Sequence, residues 1–256
     1  MTFYYVIVSH NGQHLVNGLV DSIRDTEPDA KNILVVDNGS DEPVGGKQAS
    51  AIFYTGVNLP RAEAANLGVE EVVRLGATHV AVMSDDVQFQ TQHVAKVVDL
   101  LNFVDFVGPR VINPNGQLQS AGHDLPLGNV YAVNKMDDPH KGRFVTSVVS
   151  SCIFSKTKNW KLVGGLDTTL RYFHEDVALG LNAWSRDMTV WYEPTINVMH
   201  LGGATRGRDI QTKMATPGRR RCWEQEARSQ AEFERRIKNH YWNVPLIRER
   251  VQGLNT

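Results

Sequence analysis

The sequence contains little cysteine and almost no net charge. Its two cysteines, Cys152 and Cys222, are far apart and have no metal-ligand spacing, so we expect free thiols in a reducing compartment instead of a disulfide or a zinc site. Lysine and arginine number 27, and aspartate and glutamate number 28. This balance excludes the overall positive field that draws proteins to nucleic acid and leaves only local basic surfaces.

Long apolar runs and the common glycine-rich nucleotide loops are also missing. No run approaches the roughly 20 residues that a membrane-spanning helix needs, and the first residues lack the charged leader of a signal peptide. After the first predicted strand, Ser9-His10-Asn11-Gly12 does not supply the Gly-x-Gly-x-x-Gly turn of a dinucleotide-binding dehydrogenase, and no Walker loop occurs. We therefore expect a cytoplasmic enzyme of another class.

The sequence does contain the alternating pattern of an α/β protein. Short β-branched runs alternate with helical stretches through the first half, which predicts a parallel sheet with helices on its faces. The strands predicted there are Phe3 to Ser9, Ile33 to Val36, Ala51 to Tyr54 and His79 to Met83, and the helices are His14 to Arg24 and Glu63 to Leu75. The second half predicts strands over Phe106 to Ile112, Val145 to Phe154, Thr189 to Tyr192 and Asn197 to His200, and helices over Glu175 to Arg186 and Cys222 to Tyr241.

Carboxylates follow several of these strands. In a parallel sheet, ligands bind beyond the carboxyl ends of the strands, so we expect Ser9, Asp37 and the Asp85-Asp86 pair to converge on one edge. Asp37 is placed to accept hydrogen bonds from a nucleobase or ribose, or else it only caps its turn. The adjacent carboxylates repel each other unless a cation lies near, which suits a diphosphate with Mg²⁺ or Mn²⁺. Alternatively, they form a solvated turn that caps a helix over Gln88 to Leu101.

Two further patterns lie in the second half. His174-Glu175-Asp176 begins a predicted helix, where backbone N–H groups hold a carboxylate in the ionised form that a general base requires. His200 ends a short strand before Gly202-Gly203, where an imidazole can complete a metal shell or contact a phosphate. Taken alone, the first pattern is more simply interpreted as helix capping, and His200 as a structural histidine.

The order and spacing of these features resemble a known family. The segment Asn58 to Gly68 is similar to an Asn-x-Gly-x-x-x-Ala-x-Asn-x-Gly motif, and Gly164 to Val177 is similar to a Gly-Gly-Phe-Asp and Phe-x-x-Glu-Asp block. Over about residues 3 to 205, the chain resembles the family 2 glycosyltransferases, especially their rhamnosyltransferase-like branch. Pro60 and Leu166 depart from the motifs, and Ser84 stands at the first position of the family's Asp-x-Asp metal motif.

This resemblance implies a GT-A fold, an α/β architecture with a mostly parallel central sheet flanked by helices. It implies inverting transfer of a sugar from a UDP-, dTDP- or GDP-sugar to a hydroxyl of a saccharide or glycoconjugate, as in polysaccharide biosynthesis. It also implies Mn²⁺ or Mg²⁺ bound by Asp86 and His200, and Asp176 as general base beside a supporting Glu175. The residues that it implies for donor binding are Ser9, Asp37, Asn38, Asn58, Arg61, Asn66 and Asp85.

The C-terminal region differs in composition from the rest. We expect a catalytic domain over residues 1 to 205 and a basic loop with a helical extension over residues 206 to 256. Trp223, Ala227, Phe233 and Ile237 are the side chains expected to pack this extension on the catalytic domain. The basic residues after Gly202-Gly203 either close over the diphosphate as a lid, dock on anionic lipid or polysaccharide, or bind a partner such as a second copy; they are Arg206, Arg208, Lys213 and Arg219 to Arg221.

Two other functions remain open at this stage. A nucleotidyltransferase also uses an α/β sheet and a carboxylate-bound metal, although no glycine-rich triphosphate loop follows the first strand. A sugar- or nucleotide-binding module that has lost turnover is favoured by Ser84 and opposed by the presence of Asp176. Release of nucleoside diphosphate would distinguish these functions.

Overall fold

The computed structural model describes residues 1–45, 49–125, 140–171, 173–202 and 217–256, with the backbone alone for 217–223. The strands are β1 (Phe3–Ser9), β2 (Ile33–Asp37), β3 (Ala51–Tyr54), β4 (His79–Ser84), β5 (Val87–Phe89), β6 (Phe106–Ile112), β7 (Leu118–Ser120), β8 (Arg143–Phe144), β9 (Cys152–Lys156) and β10 (Val190–His200). The helices are α1 (Gln13–Thr26), α2 (Arg61–Arg74), α3 (Val94–Leu100), α4 (Thr157–Val163), α5 (Glu175–Trp184), α6 (Pro217–Lys238) and α7 (Val244–Gly253).

All these strands belong to one sheet with the order β3-β2-β1-β4-β9-β6-β10-β5, while β7 pairs with β6 and β8 with β10. The first four strands are parallel, as the sequence predicts. Their register places Ser9 beside Asp37 and Val8 beside Ser84, so the polar strand ends lie at one edge. Every residue of β2 is buried, as expected of a parallel strand covered on both faces.

The second half of the sheet differs from a purely parallel arrangement. Strand β9 is antiparallel to both β4 and β6, and β10 is parallel to β6 but antiparallel to β5. The two strands predicted over 189–192 and 197–200 form the single strand β10, whose register shifts between Glu193 and Asn197. The helix predicted over Gln88 to Leu101 begins only at Val94, because Val87–Phe89 pairs with β10.

The prediction of a strand over Val145 to Phe154 is wrong for the first seven residues, 145 to 151. Their backbone N–H groups bond outside a regular ladder: Thr146 donates to the Asp124 carboxylate, Ser147 to the His123 carbonyl and Ser150 to the Asp176 carboxylate. The apolar residues are therefore buried as a loop, and a regular strand begins only at Cys152. Helices α4 and α7 are absent from the sequence prediction.

Helices cover both faces of the sheet, and the C-terminal helices share the larger core. Helices α1 and α3 pack on one face, while α2, α4, α5, α6 and α7 contribute to the core on the other. Phe233 is fully buried and Ile237 nearly so, as expected, whereas Ala227 is exposed. Burying one such large side chain stabilises the fold by about 1.5–3 kcal/mol.

Several expectations fall outside the described residues. These are the lid over residues 204–216, the boundary between 205 and 206, and the side chains of Cys222 and Trp223. The last residues of the predicted lid, 217–221, are the first turns of α6, which begins at Pro217 instead of the predicted Cys222. The other cysteine, Cys152, is a buried free thiol, and burial raises its pKa. Within the described ranges, no helix is both long and apolar enough to cross a membrane.

Candidate active site

The carboxyl ends of β1 and β4 bring Ser9 and Asp85 into contact. The Ser9 hydroxyl donates to Asp85 Oδ2 at 2.5 Å. A Cβ on Gly12 would lie 2.1 Å from the same oxygen, so the chain entering α1 requires glycine here. Burial raises the pKa of Asp85 to about 6, and the neighbouring Asp86 charge acts in the same direction. The pair thus has the electrostatic repulsion that the sequence predicts.

Asp86 lies against His200, which stands at the end of β10. Asp86 Oδ1 is 3.2 Å from His200 Nε2, and the two side chains are 15% and 18% exposed. Burial acts to raise the pKa of Asp86, but the hydrogen bond and charge of His200, with the charge of Arg61, hold it below its usual value. The structure therefore brings together the two residues expected to bind a metal.

Gln119 on β7 sets the orientation of this imidazole. Its Oε1 lies 3.0 Å from His200 Nδ1. Because a carbonyl oxygen only accepts hydrogen bonds, Nδ1 donates to Gln119. Nε2 faces Asp86 Oδ1 and is the nitrogen that a metal held between the two side chains would take. Such a partner behind a metal-binding histidine fixes both the tautomer and the ring orientation.

The donor set at this edge fits a hard divalent cation that also binds phosphate. A carboxylate oxygen suits Mn²⁺ or Mg²⁺, and an imidazole nitrogen is tolerated by Mn²⁺. In the described part of the chain, no group of three or more His, Cys, Asp and Glu side chains is arranged to hold a metal ion. Asp86 and His200 would therefore need phosphate oxygens and water to complete the coordination, as is usual for such cations at phosphate sites.

Ser150 connects this edge to the predicted base. Its backbone N–H donates to Asp176 Oδ2 at 3.1 Å, and its hydroxyl donates to Glu175 Oε1 at 3.1 Å. Its carbonyl accepts from Arg61 Nη2 at 2.5 Å, and Arg61 Nε donates to the Ser84 hydroxyl at 3.1 Å. A hydrogen-bonded path thus runs from the carboxylate of Asp176 to the residue that precedes Asp85.

The carboxylate of Asp176 is held by two backbone N–H groups. Oδ1 accepts from Val177 at 2.8 Å and Oδ2 accepts from Ser150. Asp176 is half-buried, while the adjacent Glu175 is only 6% exposed. These donors fix the orientation of the Asp176 carboxylate, which stays partly accessible to an acceptor hydroxyl.

The Asp37 turn is organised mainly by its own hydrogen bonds. Asp37 Oδ1 accepts from the Ser40 N–H at 3.0 Å and Oδ2 from the Val44 N–H at 2.9 Å, and the residue is 3% exposed. The Asn38 amide donates to Asn58 Oδ1 and to a neighbouring carbonyl. Asp37 thus caps its own turn, as in the simpler of the two interpretations that the sequence left open for it. Donor binding by Asp37, Asn38 and Asn58 stays a prediction.

The Asn66 side chain joins α2 to the turn at Gly165 and Leu166. Its amide donates to the Leu166 carbonyl at 2.8 Å and accepts from the Leu166 N–H at 2.9 Å and from the Trp160 indole at 3.2 Å. A Cβ on Gly165 would lie 2.3 Å from the Asn66 oxygen, which explains the glycine beside it. Asn66 thus fastens α2 to the glycine turn, and its role in donor binding stays a prediction.

Three residues near the site have no clear signal in the sequence. Gln119 and Ser150 lie in stretches whose periodicity is irregular or misleading, so only the structure shows their contacts. His123 lies near Asp176: burial lowers its pKa, and the charges of Asp176 and Asp124 oppose that change. The adjacent His123-Asp124 pair is the only hint of a polar site that the sequence offers there.

No family model and no curated protein sequence matches the chain. Solved structures do match it. GalNAc-T7 with UDP, GalNAc and Mn²⁺ has a TM-score of 0.63 at 12% identity, over 78% of this chain and 44% of that one. Staphylococcus aureus TarS with UDP has a TM-score of 0.53 at 14% identity, over 78% and 60% of the two chains.

A third match is the mannosyltransferase PcManGT from Pyrobaculum calidifontis in complex with GDP-Man and Mn²⁺. It has a TM-score of 0.54 at 14% identity, over 78% of this chain and 56% of that one. The chain thus spans less than two thirds of the length of each of these three proteins. At these identities the likeness concerns architecture, and the chain has the fold of the GT-A glycosyltransferases.

Proposed function

We propose that this protein is an inverting, divalent-metal-dependent glycosyltransferase. It transfers a sugar from a nucleoside-diphosphate sugar to a hydroxyl of a saccharide or glycoconjugate. The observation that carries the proposal is the hydrogen-bonded path from Asp176 through Ser150 and Arg61 to the Asp85-Asp86 turn. The structural neighbours bound to UDP or GDP-Man, two of them with Mn²⁺, support it.

The donor diphosphate would lie at the edge formed by Asp86, His200 and Arg61. Asp86 and His200 would hold Mn²⁺ or Mg²⁺, which supplies charge neutralisation for the departing nucleoside diphosphate. Arg61 adds a fixed positive charge, which already lowers the pKa of Asp86. Ser9 holds Asp85 in place beside this charge, so the turn keeps its shape when the diphosphate binds.

Asp176 would act as the general base. Its carboxylate accepts the proton of the acceptor hydroxyl while that oxygen bonds to the anomeric carbon. The bond from the anomeric carbon to the donor phosphate oxygen breaks in the same displacement, so the electron pair leaves with the nucleoside diphosphate. A single displacement inverts the anomeric configuration. Glu175 holds the Ser150 hydroxyl and thereby the loop that carries the other donor to Asp176.

The first test is a thermal-shift screen of UDP-, dTDP- and GDP-sugars with and without Mn²⁺. A ligand that binds the folded state raises its stability by mass action, by about 2.7 kcal/mol at 100 times its dissociation constant. We expect one nucleotide class to stabilise the protein in a Mn²⁺-dependent way. The Asp86→Ala variant should lose the part of this stabilisation that depends on Mn²⁺. If no nucleotide sugar stabilised the protein, the proposal would be wrong.

The second test identifies the reaction. With the donor found by the screen, a glycosyltransferase releases nucleoside diphosphate in the presence of acceptors. A nucleotidyltransferase instead consumes added pyrophosphate and forms nucleoside triphosphate and sugar 1-phosphate, and a binding module does neither. NMR of the glycoside should show the anomeric configuration opposite to that of the donor. Excess EDTA should abolish turnover. Full activity in EDTA would show that Arg61 and other cations neutralise the leaving group without metal.

A further inference from the structure

A cavity lies between helix α6 and the segment that leads into α5. Its volume is about 420 Å³, and six residues line it: Thr169, Arg171, Gln225, Arg228, Ser229 and Glu232. The wall therefore consists of polar and charged side chains from two separate parts of the chain. Such a lining suits a polar ligand better than an apolar one.

The carboxylate in the cavity wall, Glu232, is paired with arginines that do not line the cavity. Glu232 Oε2 lies 2.8 Å from Arg235 Nε, and Glu232 Oε1 lies 2.8 Å from Arg236 Nε. Arg236 also pairs with Asp167 and donates to the Thr169 hydroxyl. Glu232 is thus engaged on both oxygens by arginines that do not line the cavity.

The two arginines that line the cavity are differently placed. Arg171 and Arg228 are exposed, and within the described ranges neither has a carboxylate partner. Because Glu232 is compensated elsewhere, these guanidinium groups leave the cavity with an excess of positive charge. Guanidinium groups bind carboxylate and phosphate through two parallel N–H donors, which makes them suited to an anionic ligand.

The cavity is joined to the catalytic helix on both sides. Arg171 precedes Asp176 by five residues, so their Cα atoms lie at most about 18 Å apart. On the other side, Gln230, next to the lining residue Ser229, hydrogen-bonds His174, whose ring stacks on Phe233 at a centroid distance of 4.4 Å. A ligand in the cavity is therefore bound by the same elements that position the predicted base.

We propose that this cavity binds an anionic group, a phosphate or carboxylate, carried by the sugar acceptor. The proposal rests on the proposed function, since it assigns the cavity to the acceptor of that reaction. Arg171 and Arg228 would bind the anion, and Gln225 would donate to one of its oxygens. Anchoring one end of the acceptor in this way orients the hydroxyl at the other end toward Asp176.

The test measures anion binding by NMR titration of the arginine Nε–Hε resonances. The probes are inorganic phosphate and glucuronic acid, which represent the two possible anions. We expect saturable shifts at Arg171 and Arg228 with one or both probes, and the stronger probe identifies the anion. In the double variant Arg171→Ala/Arg228→Ala, the dissociation constant for that probe at this site should rise at least tenfold. The matched control Arg248→Ala, on α7, should bind like the wild type.

Unchanged binding in the double variant, or no saturable shift at either arginine with either probe, would overturn the proposal. The Nε resonance of Arg61 reports the diphosphate edge separately in the same spectra. Phosphate binding at that edge therefore cannot be mistaken for binding in the cavity. The titration requires no glycosyl transfer, so its failure is distinguishable from a failure of the proposed function, which would appear as absent donor stabilisation.

Discussion

Replacing Asp176 by asparagine tests the assignment of the base most directly. The variant keeps the size of the side chain but removes its ability to accept a proton at neutral pH. A positioned general base contributes about 10²- to 10⁴-fold to the rate, equivalent to about 3–5 kcal/mol of transition-state stabilisation. We expect turnover to fall by that factor, while donor affinity stays within a few-fold because the base binds the acceptor proton and not the nucleotide.

The structure also predicts a cost in stability. The two carboxylate oxygens accept from the backbone N–H groups of Ser150 and Val177. An asparagine side chain has one carbonyl oxygen, so its NH₂ group must face one of these donors. A donor left without an acceptor costs about 1–3 kcal/mol. Urea unfolding should therefore show a moderate loss, and the rate must be measured where the variant remains folded.

The assay is single-turnover release of nucleoside diphosphate with saturating donor and acceptor. Glu175→Gln is the comparison, because glutamine keeps an oxygen that can accept from the Ser150 hydroxyl. We expect its rate loss to be much smaller than that of Asp176→Asn. A wild-type rate for Asp176→Asn, or a larger loss for Glu175→Gln, would refute the assignment of Asp176 as the base.

Three further predictions concern the surrounding residues. Gln119→Leu should weaken Mn²⁺ binding about 10- to 100-fold, measured by calorimetry with bound nucleotide, because the imidazole ligand loses its orienting acceptor. Asn66→Ala should cost about 2–4 kcal/mol in urea unfolding, since a buried N–H and the Trp160 indole lose their acceptor; the exposed Asn102→Ala should cost little. Burial lowers the pKa of His93, so the folded protein binds a proton at this imidazole less readily than the unfolded chain does. The stability that neutral His93 contributes is therefore present above about pH 6.5, the pKa of an unperturbed histidine, and is lost as the pH falls further. His93→Gln should therefore lose less stability than the wild type between about pH 7 and pH 5; an equal loss would show that His93 does not contribute.

The first half of the fold and the edge at which the site lies are predictable from the sequence. Continuous β-branched runs form parallel strands because both faces are buried, and this pattern is local. The strand ends then follow from chain order, so the convergence of Ser9 and Asp85 on one edge is predictable without coordinates, whereas their hydrogen bond appears only in the structure. The helix that begins at Glu175 is also predictable, because the spacing of its apolar residues is a local pattern within ten residues.

Contacts between polar groups that are far apart in the sequence follow from the packing of the whole chain. Ser150 and Arg61 are 89 residues apart, and Gln119 and His200 are 81 apart, so no local pattern relates them. The buried loop before Cys152 misleads sequence reasoning because its valines resemble a strand while its N–H groups bond to Asp124 and Asp176. Hydrogen bonds of this kind depend on where distant elements pack, and that placement is set by the whole core.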